Sequence, residues 1–258
     1  MMLNNIKKAV CIGMGIMIMS MLLVGCGNTD GGNKTESLKG KELKVATGIF
    51  APFSYKDDNG KLVGFDEDLL DALSKKCGFT YKITATEYDN MFMSIQNGEY
   101  DLGMGQVCIT DERKQKMDFV GPYRSAGLQF VVKKDSGITS LDQLNGKKIA
   151  VEKGTAAHKY VTEHCKDSEI VVFPQIASAY MEVEQGKADA LMQDTPNVQF
   201  YIKQHPDCNL MLLGNDTDKI PDGFAIPKDS PYKDELNNAL QELKDNGTIK
   251  KIEDKWLN

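Results

Sequence analysis

Residues 188–204, ADALMQDTPNVQFYIKQ, contain the pattern that decides the fold. Residues 188–192, which are apolar except for Asp189, predict a β-strand, and residues 195–204 predict a helix that follows it directly. Pro196 supports a helix start here, because proline is favoured in the first helical turn. Asp194 lies between the two elements. Its carboxylate either caps the helix or faces a cleft, where it would hold a cation.

The same alternation of strand and helix continues in both directions from this segment. Further strands are predicted at residues 43–47, 81–83, 101–104, 128–132, 148–151 and 170–173, and further helices at residues 66–77, 91–95, 156–165 and 178–185 and twice after residue 236. Asp66 is the predicted N-cap of the first of these helices. The alternation, with few hairpin signals, predicts an α/β fold with helices on both faces of its sheets. Such sheets bind ligands beyond the carboxyl ends of their strands.

Composition excludes several classes of protein. The chain has 258 residues, of which 41% are hydrophobic and 26% are charged, as is typical of globular proteins. Its length suits one large domain or two smaller ones. The net charge of −6 argues against nucleic-acid binding, which needs a basic surface, and the lysines here are interspersed with acids.

The first 25 residues differ from the rest of the chain. Lys7 and Lys8 precede an uncharged apolar run, residues 9–24, and removal of residues 1–25 leaves 29 basic and 37 acidic side chains, a net charge of −8. This pattern predicts an export signal. A single membrane anchor is the alternative, although the run is shorter than the ~20 residues that span a bilayer. Residues 23–26, LVGC, resemble the lipobox of bacterial lipoproteins. The resemblance implies a signal peptide over 1–25 that is removed, lipid on Cys26, and a flexible tether over 26–37.

The remaining cysteines and the histidines predict no metal site. Four thiols stay in the mature chain, and they allow three full pairings that sequence cannot distinguish. Cys165 and Cys208 either form a disulfide or remain separate thiols. No C-x-x-C pair occurs and the three histidines lack zinc-site spacing, so we expect neither a metal nor another cofactor.

Residues 108–113, CITDER, predict an anion pocket. Thr110 or Asp111 can cap a short helix that carries Arg113 on its first turn. A guanidinium beside backbone N–H groups suits a carboxylate, although a solvated helix arginine is the plainer interpretation. With Asp194, Arg113 would form a site for a zwitterion. Thr155, in the strand-end segment 153–155, would add N–H donors and a hydroxyl.

At these residues the chain resembles the polar amino-acid-binding proteins of ABC importers, which are extracellular or periplasmic solute-binding proteins of family 3. The pattern is most like that of their glutamine-binding members. The resemblance spans residues 41–257 and rests on the segments 63–69 (VGFDEDL), 109–114 (ITDERK), 118–119 with 122–123, 154–155, 188–190, 194–197 (DTPN) and 246–248. It implies a two-lobe, type II periplasmic-binding-protein-like fold with the ligand in the cleft. The implied first lobe is 38–122 plus 226–258, the hinge strands are 123–127 and 221–225, and the second lobe is 128–220.

The resemblance also implies roles for single residues. Arg113 would take the α-carboxylate of the ligand, Asp194 its α-ammonium, and Thr155 would support the carboxylate. Phe50 and Tyr88 would sandwich the ligand side chain between their rings, or else belong to the ordinary core.

The side-chain pocket departs from the family pattern. Cys108 replaces a usual hydroxyl, and a thiol is a weaker donor. Glu152 and Gln193 replace the lysine and histidine of glutamine-binding members. Gln106 is a further candidate, because it lies in the polar segment 105–110 that follows the strand predicted at 101–104. An acid at position 152 favours an amide or cationic side chain. Glutamine is therefore in doubt, and arginine, lysine, histidine and cystine remain open.

The resulting prediction is a monomeric, lipid-anchored receptor on the outer face of a bacterial membrane, not an enzyme. It would capture a polar L-amino acid by hinge closure and deliver it to an ABC permease, without binding nucleic acid. The alternative is an enzyme similar to cyclohexadienyl dehydratase, with Glu152 as general acid. A sensory ligand-binding module is a third class.

Overall fold

The structure, a computed structural model, describes residues 37–257. The predicted signal peptide, the lipidation site at Cys26 and almost all of the predicted tether lie outside these residues. Within the described part of the chain, no helix is long and apolar enough to cross a membrane.

Twelve strands are found among the described residues. In chain order they are β1 (Glu42–Thr47), β2 (Tyr55–Lys56), β3 (Leu62–Val63), β4 (Thr80–Ala85), β5 (Leu102–Cys108), β6 (Met117–Ala126), β7 (Leu128–Lys133), β8 (Lys148–Glu152), β9 (Glu169–Phe173), β10 (Ala190–Asp194), β11 (Leu210–Leu213) and β12 (Ile220–Pro227). The predicted strand at 188–192 is thus shifted by two residues, so that Asp194 ends it. The alternation pattern did not predict β2, β3, β6, β11 or β12, although the resemblance implied hinge strands that overlap the end of β6 and the middle of β12.

The helices of residues 37–257 alternate with these strands. They are α1 (Phe65–Cys77), α2 (Tyr88–Gln96), α3 (Asp111–Lys116), α4 (Ala156–His164), α5 (Ile176–Glu184), α6 (Thr195–Gln204), α7 (Lys233–Asp245) and α8 (Thr248–Trp256). The helix predicted at 195–204 has the bounds expected from its sequence. Helix α5 begins two residues earlier than predicted.

Ten of the twelve strands form two separate five-stranded sheets, and β2 and β3 pair with each other in a small antiparallel sheet. The first has the order β4-β1-β5-β12-β6, and the second has the order β11-β7-β10-β8-β9. In the first sheet β1 is parallel to β4 and β5, whereas β12 is antiparallel to β5 and β6. In the second sheet β8 is parallel to β9 and β10, whereas β7 is antiparallel to β10 and β11. We call the two halves built on these sheets the first lobe and the second lobe.

Each sheet has apolar side chains on both faces, and helices cover both. In the second lobe, alternate residues of β8 point to opposite sides: Ile149 and Val151 pack in one core with α4, and Ala150 packs in another with α5 and α6. In the first lobe, α1, α7 and α8 pack on one face and α2 on the other. The predicted α/β class with helices on both faces is therefore observed.

Within residues 37–257, the chain passes between the two five-stranded sheets twice. It leaves the first sheet at the end of β6, and β7 begins the second sheet two residues later. It returns after β11 through β12, which pairs with β6 so that Ile220 lies opposite Ala126 and Asp222 opposite Arg124. The predicted hinge segments 123–127 and 221–225 lie at these crossings. The proposed lobe boundaries themselves stay a prediction.

The cysteine prediction had left a disulfide open. Cys165 and Cys208 are both free thiols in the structure, and each is partly exposed. Cys108 is also a free thiol, but unlike these two it is buried. It lies at the site described in the next section.

Candidate functional site

Arg113 lies where the two lobes meet. Thr110, one of the two predicted caps, caps α3 by accepting a hydrogen bond of 3.3 Å from the Arg113 backbone N–H. The guanidinium donates from Nη1 to the carbonyl oxygen of Cys108 and from Nη2 to that of Gly154, both at 2.8 Å. Its central carbon lies 4.2 Å from the centroid of the Phe92 ring. Arg113 is therefore held by contacts from both lobes and is not a solvated helix arginine.

Asp194 ends β10 of the second lobe and points at the first. Its side chain is 3% exposed. Its Oδ1 accepts a hydrogen bond from Gln106 Nε2 at 3.3 Å and a weak one from the Cys108 thiol at 3.9 Å. Although Asp194 precedes α6, its side chain makes no capping hydrogen bond, so the cleft-facing alternative is the one observed. Burial raises the pKa of Asp194 to about 7, since the apolar surroundings disfavour the anion.

The strand end that presents Gln106 has an unusual backbone. Gln106 has a φ of 55°, in the left-handed region that residues other than glycine rarely adopt. Asp66 stabilises this turn, because its Oδ2 accepts the N–H groups of Gly105 at 2.8 Å and Gln106 at 2.9 Å, while its Oδ1 accepts the Tyr123 hydroxyl at 2.9 Å. The prediction that Asp66 caps α1 is wrong, because Gly64 occupies the cap position and Asp66 points into the protein.

Phe50 and Tyr88 form one aromatic wall of the site. Their rings are stacked with centroids 5.3 Å apart and an angle of 20° between the planes. Both side chains are buried. The Tyr88 hydroxyl donates to the carbonyl oxygen of Gln106 at 3.2 Å. The structure thus brings the two predicted aromatic residues together beside Gln106, with Arg113 close to the Tyr88 ring.

The Thr155 hydroxyl forms its hydrogen bonds with backbone groups three residues away on either side. This hydroxyl donates to the carbonyl oxygen of Glu152 at 2.8 Å and accepts the backbone N–H of His158 at 3.1 Å, so it caps α4. The cap fixes the loop 153–155, whose Gly154 carbonyl receives Arg113. Thr155 therefore shapes the loop that faces Arg113.

Glu152 and Gln193 lie at the ends of two adjacent strands, β8 and β10, and their side chains are 3% and 1% exposed. Within the described residues, Glu152 Oε2 and Gln193 Oε1 have no hydrogen-bond partner. Burial, together with the nearby charge of Asp194, raises the pKa of Glu152 to about 8. Gln193 also lines a cavity of about 470 Å³ together with Phe50 and Asn197. These two oxygens are therefore available to accept hydrogen bonds from a bound molecule.

Sequence reasoning missed one charged pair at the lobe crossing. Asp222 on β12 is fully buried, and Arg124 Nη1 lies 3.6 Å from its Oδ2. Asp222 is the register partner of Cys108 on β5, so it lies beside the residues described above. A single acid inside the otherwise apolar run 220–227 is the sequence signal that could have identified it.

Direct contacts close the gap between the lobes. Asn197 Nδ2 of the second lobe donates to the Ala51 carbonyl oxygen of the first at 2.7 Å. Lys159 of the second lobe pairs with Glu112 of the first at 3.0 Å. Together with the Arg113–Gly154 hydrogen bond, these contacts hold the lobes against each other around the buried Asp194.

Comparisons with known proteins agree with this architecture. Residues 43–258 match the family of bacterial extracellular solute-binding proteins, family 3. The L-cystine-binding protein TcyJ of Escherichia coli strain K12 is 29% identical over 222 residues, which cover 85% of this chain and 83% of that protein.

Two solved structures are similar in both sequence and shape. An ancestral arginine-binding protein bound to arginine is 37% identical, with a TM-score of 0.80, over 86% of this chain and 100% of that one. The ancestral amino acid-binding protein AncCDT-1, a precursor of cyclohexadienyl dehydratase, is also 37% identical, with a TM-score of 0.78, over 84% of this chain and 96% of that one. The predicted two-lobe, type II periplasmic-binding-protein-like fold is thereby confirmed. The chain belongs to the bacterial extracellular solute-binding proteins of family 3.

Proposed function

We propose that this protein is the lipid-anchored receptor of an ABC importer, that it captures a polar L-amino acid, and that it delivers the amino acid to a membrane permease. One observation carries the proposal: Arg113 of the first lobe and the buried Asp194 of the second face the same gap beside Cys108. A cation and an anion placed in this way match the carboxylate and ammonium of an α-amino acid.

The ligand's α-carboxylate is assigned to Arg113. A guanidinium presents a planar fork of donors that suits a carboxylate. In the structure this fork is occupied by two backbone carbonyl oxygens, those of Cys108 and Gly154. A carboxylate is a stronger acceptor than a carbonyl, so it would replace one or both of these contacts. The Cys108 N–H and the loop that ends at Thr155 would lie beside it.

The ligand's side chain is assigned to the region of Phe50, Tyr88, Glu152 and Gln193. Two stacked rings supply an apolar and cation-binding face. The unpartnered oxygens of Glu152 and Gln193 accept hydrogen bonds, and an acidic side chain would meet repulsion there. Arginine, lysine or histidine therefore fits best, with cystine next. Similarity to one protein described as bound to arginine and to another described as binding L-cystine supports this order.

Capture works through hinge closure. The chain crosses between the lobes only at the β6–β7 and β11–β12 connections of the described residues, so the lobes can separate there. A ligand that contacts Arg113 on one lobe and Asp194 on the other has more contacts in the closed state than in the open one. That difference in binding free energy shifts the population toward closure.

The test is a thermal-shift panel of the twenty amino acids, ornithine and cystine, followed by calorimetry of those that raise the melting temperature. Arginine, lysine, histidine or cystine is expected to give the largest shift. No shift with any of these compounds would overturn the proposal. Labelling with a fatty-acid analogue tests the anchor separately, since Cys26→Ser should abolish labelling and release the protein from membranes.

An enzyme of the cyclohexadienyl dehydratase kind is the second candidate. Its basis is the buried Glu152, whose raised pKa suits a general acid, together with the similarity to AncCDT-1. Arogenate or prephenate would be incubated with the protein and product formation followed. If the wild type forms product and the Glu152→Gln variant does not, the enzyme function is established. If the wild type forms no product, this second candidate is excluded.

A further inference from the structure

A buried carboxylate at the lobe crossing lacks the partners that such a group requires. The Asp222 side chain is 0% exposed, and neither of its oxygens has a hydrogen-bond partner among residues 37–257. Arg124 Nη1, the cation beside it, lies 3.6 Å away and also lacks a hydrogen bond. Burial of a charged group without hydrogen bonds is strongly unfavourable, because the group loses its hydration and gains nothing in return. Structures that keep such a group usually supply a partner from elsewhere.

The position of Asp222 indicates where that partner would lie. Asp222 pairs directly with Cys108 in the β12–β5 register. Side chains of directly opposed residues project to the same face of a sheet, ~5 Å apart at Cβ. The Cys108 thiol in turn lies 3.9 Å from Asp194 Oδ1. Two carboxylates, one from each lobe, therefore flank a single thiol.

The charges around this thiol do not balance within the protein. Asp194 accepts a long hydrogen bond from the neutral Gln106 amide, and Asp222 has Arg124 beyond hydrogen-bonding distance. The other guanidinium, that of Arg113, is directed at Cys108 O and Gly154 O. Burial and the charge of Asp194 raise the pKa of Asp222 well above its ordinary range, as expected for neighbouring carboxylates without a cation between them.

A primary ammonium group has the properties that this arrangement lacks. It carries one positive charge and three N–H donors, so it can serve two carboxylates at once. We propose that Asp222 is a second acceptor for the α-ammonium of the bound amino acid and acts together with Asp194. This inference rests on the proposed function. It adds that the ammonium is held both by the second lobe and by the strand that crosses between the lobes.

The test compares amino acids with the same molecules lacking the α-amino group. The pairs are L-arginine with δ-guanidinovalerate, L-lysine with ε-aminocaproate, L-histidine with imidazolepropionate, L-glutamine with glutaramate, and L-cystine with dithiodipropionate. The pair whose amino acid binds the wild type most tightly is used, and calorimetry gives the preference for the amino form. Asp222→Asn is expected to weaken binding of the amino acid by about tenfold or more. Binding of the deaminated analogue should change much less, so the preference falls.

Two outcomes would overturn the inference. In one, Asp222→Asn keeps the wild-type affinity. In the other, both members of the pair lose affinity equally, as a purely structural role through Arg124 would predict. Asp118→Asn is the matched control, because Asp118 is a shielded carboxylate of the same sheet that pairs with Lys228 and Lys233. It should leave the preference unchanged.

Failure of the proposed function has a different signature. If the wild type binds none of the five amino acids, the assignment of the cleft to an amino acid falls, and the role of Asp222 falls with it. If the wild type binds one of them and only the Asp222 result disagrees, the receptor function stands without the second carboxylate. Circular dichroism and thermal unfolding show whether each variant is folded.

Discussion

Lys153 Nζ lies 2.8 Å from Asp89 Oδ2, and this ion pair connects the loop after β8 in the second lobe with helix α2 in the first. Lys159 and Glu112 form a second pair between the lobes at 3.0 Å. Because these side chains are largely exposed, each pair is worth only ~0.2–1 kcal/mol. Their energy acts on the equilibrium between open and closed lobes, since neither pair lies within one lobe.

Lys153→Gln is therefore expected to speed release of the bound amino acid without unfolding the protein. The loss of one exposed pair predicts a dissociation rate about 1.5- to 5-fold higher. Stopped-flow fluorescence at low and high salt measures it, and salt should reduce the difference. Lys82→Gln is the control, because Lys82 pairs with Glu42 within the first lobe at 2.9 Å. Equal rates in the two variants would contradict the prediction.

Arg113→Ala is expected to lose most of the affinity. Without the guanidinium, a ligand carboxylate would be buried unpaired, which predicts ~100-fold weaker binding or more. Arg113→Lys should not restore it, because an ammonium lacks the planar fork. The neighbouring Lys114→Ala removes an exposed charge of the same helix and should bind normally. If calorimetry gives the Arg113→Ala variant the affinity of the wild type, Arg113 does not bind the ligand carboxylate.

Amino-acid binding is expected to release protons near neutral pH. The pKa of Glu152 is raised to about 8 and that of Asp194 to about 7, so both are partly protonated near pH 7. A bound cation favours the ionised carboxylates and lowers these pKa values. Affinity for L-arginine should thus rise as the pH increases from roughly 6 to 8. Calorimetry in buffers of different ionisation enthalpy counts the protons. The Glu152→Gln variant should release fewer protons on binding. An unchanged number of protons would show that Glu152 does not titrate when the amino acid binds.

The protein without ligand is expected to lose stability as pH rises. Burial raises the pKa of Glu67 to about 8, although its hydrogen bond from Ser54, at 2.5 Å, opposes the shift. A carboxyl group with a raised folded pKa binds more protons in the folded state than in the unfolded state. Unfolding free energy then falls between roughly pH 5 and 8, with a slope of at most ~1.4 kcal/mol per pH unit for each such group.

Urea unfolding across this pH range measures the slope. Glu67→Gln should flatten it and leave amino-acid affinity unchanged, because Glu67 lies beside Ser54 and outside the cleft. A wild-type stability that increases with pH, or a slope that Glu67→Gln does not alter, would show that Glu67 does not titrate in this range.

Local sequence patterns predicted those elements whose structure is determined by residues close together in the sequence. Helix α6 was predicted with its bounds because Pro196, which favours a helix start, lies within the helix itself. The start of α3 was predicted because the Thr110 hydroxyl caps the helix from three residues before Arg113. The local pattern did not indicate strand β12, which only the resemblance implied in part, because its two prolines and its glycine disfavour a strand locally. Its pairing with β5 and β6 overrides that preference.

Buried charges were the hardest part of the site to predict. Asp66 has the spacing of a helix cap, but its partners are N–H groups 39 and 40 residues away in sequence. Asp222 has no local motif at all, and its significance comes from Cys108, a partner on a strand more than a hundred residues earlier. Such groups depend on which strands become neighbours, and sequence periodicity alone does not determine this.

The strand order of the first sheet also constrains how the protein is made. Strand β12 lies between β5 and β6, yet it is synthesised after the whole second lobe. Until residues 220–227 leave the ribosome, the first sheet lacks an interior strand and cannot pack as it does in the finished protein. A nascent chain that completes its fold only near its C-terminus stays unfolded for longer. Folding of the first lobe is therefore coupled to completion of almost the whole chain.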